Sequence, residues 1–150
     1  MPASAPRRAV GGFTLIEVLI AILVMAFGLL GFALLQTMSV RFTQSANYRT
    51  QSTNLAYEML DQIRVNRVAS SAYLGDYAAT TANCNPVTGN TVGATDYRAA
   101  WQCRLGKSLG SNATANVAQV GNEIVVSITW GDARWDPNNP SLSLQARTRL

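Results

Sequence analysis

Gly11-Gly12-Phe13-Thr14-Leu15-Ile16-Glu17-Val18-Leu19-Ile20 opens the stretch on which the fold turns. From Phe13 to Leu35, 19 of 23 residues are hydrophobic, and no formal charge stands between Glu17 and Arg41. A run of this length crosses a bilayer as a single helix. Arg7 and Arg8 precede it, and positive charge on that flank holds the N-terminus in the cytoplasm. Everything after Leu35 is then delivered to the far side. The whole chain of 150 residues is 48% hydrophobic but only 13% charged, about half the usual charged share. No second apolar run of about 18 residues exists, which excludes a polytopic membrane protein. The absence of histidine excludes histidine-dependent chemistry. A net charge of +4 is mild and specifies no partner.

Several kinds of segment share this outline. A cleaved secretory signal has a shorter apolar core closed by a small-residue site. Here the run is longer, no Ala-x-Ala motif closes it, and Glu17 sits near its start. Arg7-Arg8 alone is a poor twin-arginine signal. A plain single-pass anchor explains the length but not the carboxylate, which costs several kcal/mol in an apolar phase unless a partner offsets it.

Gly12-Phe13-Thr14-Leu15-Ile16-Glu17-Val18 resembles the class III leader of type IV prepilins and of the pseudopilins of type II secretion. That resemblance implies cleavage between Gly12 and Phe13 by a prepilin peptidase on the cytoplasmic side. It also implies N-methylation of Phe13 by the same enzyme, with the apolar helix retained. Gly11-Gly12 permits a shifted cut, but only cleavage after Gly12 keeps Glu17 at the family spacing. Glu17 then lies four residues beyond the new amino terminus, one turn along the same helical face. Arg41 is about 36 Å away along a helix and out of reach. The compensating cation is therefore an N-terminal amine, its own or a neighbour's, and the resemblance favours the neighbour's. The competing reading leaves Glu17 simply extended toward the interface.

From Gln36 to Val68 there is no proline, and Phe42, Ala46, Ala56, Met59, Leu60 and Ile63 recur at helical spacing, with Arg49, Thr53 and Arg67 in the register where the stripe weakens. This predicts an amphipathic continuation of the apolar helix, about 84 Å in all if it runs from Phe13 to Val68. Gly28 and Gly31 are either soft points or helix-contact glycines. Asn54-Leu-Ala-Tyr57-Glu58-Met-Leu-Asp61-Gln-Ile-Arg64-Val-Asn66-Arg67 resembles the corresponding segment of PilV-type minor pilins. For the side chains themselves, Asp61 and Arg64 read as an ordinary exposed pair.

Residues 69–94 are rich in Ala, Thr, Asn, Gly and Ser and read as a long surface connection. Tyr97, Trp101, Leu105 and Leu109 then mark a short helix capped by Thr95 or Asp96 and ended by Gly110. Residues 115–120 and 123–130 flank Gly121-Asn122 as a hairpin, and residues 141–149 supply a third strand. The expected fold is α+β: a long N-terminal helix packed on a small antiparallel sheet with one extra helix. Its division is 1–12 leader, 13–35 membrane or fibre-core helix, 36–68 amphipathic helix and 69–150 periplasmic head.

Cys84 and Cys103 both follow the apolar run, where an oxidising compartment permits a disulfide worth about 3 kcal/mol. Two free thiols are the alternative. Two thiols without histidine do not make a usual zinc set, and the carboxylates after the apolar run have no metal-binding spacing. Asp132 to Pro137 reads as a turn rather than a calcium loop. No phosphate loop or nucleophile–base pair is present, so no enzyme and no cofactor are expected. The resemblance implies a minor pilin in the inner membrane, its head periplasmic, priming assembly and sitting near a pilus tip in support of motility and adhesion. Its partners would be prepilin peptidase, the major pilin, other minor pilins and an inner-membrane assembly platform. A GspI-like pseudopilin of type II secretion is the nearer alternative. A DNA-binding pilin is the more distant one, because Arg41, Arg49, Arg64, Arg67, Arg98 and Arg104 look dispersed and no nucleic-acid partner is expected.

Overall fold

In the computed structural model, residues 11–82, 84, 93–132 and 141–149 are described. The chain divides into two units, Met1–Val40 and Arg41–Leu150. The expected turn at Asp132–Pro137 lies mostly outside the described residues.

Helix α1 spans Leu15–Val65. Within the first unit it is the apolar segment, with an 18-residue window of mean hydropathy 2.9, and none of that window is buried. Long straight-chain and branched apolar residues with no proline sustain the helix, and two glycines do not break it. A Cβ added at Gly28 or Gly31 would meet nothing within 4 Å among the described residues.

In the second unit α1 changes character. Its buried positions are Ser45, Ser52, Leu55, Ala56, Met59, Leu60 and Ile63, a stripe at three- and four-residue spacing. This shifts the expected stripe. Phe42 is 60% exposed and Ala46 is exposed, while two serines take the inner face. Each serine has its hydroxyl satisfied: Ser45 donates to Asp132 at 2.6 Å, and Ser52 donates to the Arg49 carbonyl at 2.9 Å. A bonded hydroxyl tolerates burial, so polarity alone misplaces it. The helix ends at Val65, three residues before the expected Val68. The Asn66 side chain donates to the Gln62 carbonyl at 3.2 Å, and a 3₁₀ segment, Arg67–Tyr73, follows.

Among the described residues the sheet has four strands rather than three. Strands β1 (Gly75–Ala78), β2 (Thr114–Val120), β3 (Glu123–Gly131) and β4 (Ser141–Arg149) are antiparallel neighbours in chain order. β1 falls inside the stretch expected to be a loop. Four residues with one strong strand former carry little local signal; pairing of Gly75 to Ala78 with Val117 to Thr114 creates the strand. On β3, Ile124, Val126, Ile128 and Trp130 face the core, as their alternation requires.

Helix α2 (Ala94–Leu109) starts at Gly93 as N-cap, with no side-chain cap bond from Thr95 or Asp96. It buries Tyr97, Trp101, Leu105 and Leu109. Trp101 joins the layers: its indole N–H donates to the Leu55 carbonyl of α1 at 3.2 Å, and its ring meets Tyr77 of β1 edge-on at 5.2 Å. The fold is α+β.

Candidate functional site

The N-terminal site is built from the first turn of α1. Gly11 to Thr14 precede the helix, and Thr14 caps it. The Glu17 N–H donates to the Thr14 carbonyl at 3.1 Å and lies 3.3 Å from Thr14 Oγ1. Four leading amide groups of any helix lack internal acceptors, and a threonine hydroxyl satisfies one of them. A carboxylate three residues after such a cap is the spacing of a capping box, and it also suits the positive end of the helix dipole. The Thr-x-x-Glu spacing of Thr14 and Glu17 is the sequence signal for this cap.

Phe13, Glu17, Val18, Ala21, Ile22 and Met25 line one shallow, mainly apolar groove along this face. Phe13 is 84% exposed, and Glu17 is exposed too. The structure thus brings Phe13 and Glu17 to the same groove, with Gly12 just before it. Among the described residues the salt bridges are Asp61–Arg64, Glu58–Arg104 and Glu123–Arg149, all in the second unit, and Glu17 has none. What the arrangement offers chemically is one carboxylate on an apolar ridge, open to a cation that arrives with another apolar surface. The same carboxylate gains value as that surface excludes water, because Coulomb attraction strengthens in a low dielectric.

The second cluster lies where the connection after β1 meets α2. Cys84 and Cys103 are joined in a disulfide, with Cα atoms 5.6 Å apart and a sequence separation of 19. The Thr80 N–H donates to the Gln102 carbonyl at 3.2 Å, and the Ala79 N–H donates to the Ala113 carbonyl at 2.9 Å. Gly106 lets the Thr80 backbone lie directly on the helix: a Cβ there would collide with the Thr80 carbonyl. This clasp was half legible, since the cysteines were visible and the glycine contact was not.

Across the α1–α2 seam, Arg104 binds Glu58, and the Tyr97 hydroxyl lies 3.2 Å from Glu58 Oε1. Burial, reinforced by the Glu58 charge, pushes the Tyr97 phenol well above its ordinary value of 10.0. Burial also raises Tyr77, against the opposing charge of Arg98. These phenols stay protonated at ordinary pH and act as packing groups. Among the described residues no cluster of three or more Cys, Asp or Glu side chains is placed to hold a metal.

The family model for the prokaryotic N-terminal methylation motif matches residues 7–33, which contain Gly12, Phe13, Thr14 and Glu17. No curated protein and no solved structure matches the chain.

Proposed function

On the premise that this chain carries the prepilin leader of the type IV pilin family, we propose that it is a minor pilin of the PilV type. In this reading prepilin peptidase cuts between Gly12 and Phe13 and methylates Phe13. The Phe13–Leu35 segment anchors the protein in the inner membrane, with the N-terminus cytoplasmic and the head periplasmic. Assembly with other minor pilins, on an inner-membrane platform, then primes the fibre to which the major pilin is added, and the protein ends at or near the tip. The role is structural rather than enzymatic, in support of pilus-dependent motility and adhesion.

The observation that carries the reading is the exposed Glu17 in a groove with Phe13, inside the matched motif and without an ion pair among the described residues. The amine of an incoming subunit is a cation of the right kind, already attached to an apolar helix. Charge pairing would fix the axial register of one helix on the next, while apolar burial would supply most of the free energy. The Asn54–Arg67 segment supports the pilus over a GspI-like secretion pseudopilin. Arg64, Arg104 and Arg149 are each engaged by a carboxylate, which weakens the case for a DNA-binding face.

Deletion of the gene, with surface pili, twitching motility and type II secretion scored separately, tests the assignment. Loss of pili and twitching with secretion intact is expected. Loss of secretion alone would assign the protein to the other machine.

A further inference from the structure

Among the described strands, β4 is one of the two edges of the sheet. All nine of its residues pair with β3, from Ser141 against Gly131 to Arg149 against Glu123, without a bulge. It contains neither proline nor lysine. Natural sheets usually blunt or cover so long an edge.

The hairpin before it fixes where the free backbone groups of β4 point. The two-residue loop Gly121-Asn122, with Gly121 at φ +60°, makes the flanking Val120–Glu123 a hydrogen-bonded pair. Successive residues of an antiparallel strand turn their N–H and C=O to opposite sides. Ile124, Val126, Ile128 and Trp130 therefore address β4, and their partners there are Thr148, Ala146, Leu144 and Leu142. Ser141, Ser143, Gln145, Arg147 and Arg149 then direct both backbone groups outward, and all five are exposed. Among the described residues, no backbone group of another element bonds to that side.

One end of this edge is cationic. Arg147 and Arg149 lie two residues apart on the exposed face, while Arg64 of α1 donates to Thr148 Oγ1 at 3.1 Å on the opposite, buried face. Arg64 and Arg149 already have carboxylate partners, Asp61 and Glu123; among the described residues Arg147 has none.

We propose that β4 accepts an added strand from a partner protein, an extended segment whose carboxylates alternate with uncharged residues so as to face Arg147 and Arg149. Backbone bonding would supply the docking mode, and the arginines would choose the partner. A second copy of β4 is the poorer occupant. Parallel in-register pairing stacks Arg147 on Arg147 and Arg149 on Arg149. Antiparallel pairing centred on Gln145 sets the arginines opposite Ser143 and Ser141 and gains no charge pair. The surface depends on the sheet alone and stands whether or not the chain serves a pilus.

The test uses the full chain in detergent and labelled nine-residue peptides of alternating valine and glutamate, or valine and lysine, with binding read by fluorescence anisotropy. Ser143→Pro and Gln145→Pro each remove an outward N–H and leave the ladder to β3 intact. The glutamate peptide should bind about tenfold or more tighter than the lysine peptide. Either proline should abolish that binding without moving the thermal unfolding of the head. Arg147→Glu, which does not touch the ladder, should reverse the charge preference even if the proline variants fail to fold. Absence of binding by either peptide, equal binding by folded proline variants, or an unchanged preference in Arg147→Glu would overturn the proposal. So would self-association of the wild-type chain that Gln145→Pro removes, since a second copy would then occupy the edge.

Discussion

Residues 15–40 and residues 41–65 belong to the same helix by hydrogen bonding, yet they solve opposite problems. The first stretch buries none of its side chains within the chain, and Leu23, Phe27, Leu30 and Phe32 are each more than half exposed. The second buries seven, five of them within the hydrophobic core of the head. Helical spacing is a local property, but what covers an apolar face is not. For residues 41–65 the cover is encoded in the same chain. For residues 15–40 no cover is found among the described residues, and Glu17 is the one charged side chain on that surface.

The sharpest way to break this contrast is to truncate one large side chain in each stretch of the molecule. Trp101→Ala should destabilise the head by about 3–5 kcal/mol in denaturant titrations of the detergent-solubilised chain, through loss of packing and of the bond to Leu55. Leu23→Ala should change the same transition by less than about 0.5 kcal/mol, as for an exposed site. A comparable loss from both would show that the two units share one core.

Removing the disulfide sharpens the picture within the head. Cys84→Ser with Cys103→Ser frees a 19-residue separation and should cost about 3 kcal/mol, measured in the same titration. Gly106→Ala comes next. At an open helical position this change would add stability through propensity. Here the new Cβ meets the Thr80 backbone, so a loss of about 1–3 kcal/mol is expected, with the thermal midpoint falling rather than rising.

The smallest effect is alkaline. Tyr97 and Tyr77 have phenol pKa values raised in the folded state, so the folded protein holds protons that the unfolded chain releases above about pH 10. Their contribution is complete below that pH and is lost as pH rises toward the folded values. Thermal midpoints should therefore decline above about pH 10, and Tyr97→Phe should decline less steeply than wild type. A profile unchanged by the substitution would remove Tyr97 from the account.

The elements legible in the sequence are those whose pattern repeats within one segment. Ile124 to Trp130 alternate over seven residues, and Tyr97, Trp101, Leu105 and Leu109 return every fourth, so β3 and α2 declare themselves. β1 does not, because Gly75-Asp76-Tyr77-Ala78 becomes a strand only by pairing with β2. Ser45 escapes for a related reason: Asp132, 87 residues away, makes its burial tolerable. At the N-terminus the reverse holds. Gly12, Phe13 and Glu17 stand at a fixed spacing along the chain, and the capping bond from the Glu17 N–H to Thr14 belongs to the same local run.

In the proposed function, Glu17 registers this subunit through a neighbour's amino terminus. The direct measurement is the amount of Glu17→Val protein in purified fibres relative to wild type, with prepilin cleavage and head folding checked in the membrane fraction. The account predicts a correctly cleaved and folded protein that is nearly absent from fibres. Glu17→Val entering fibres at the wild-type level would contradict it.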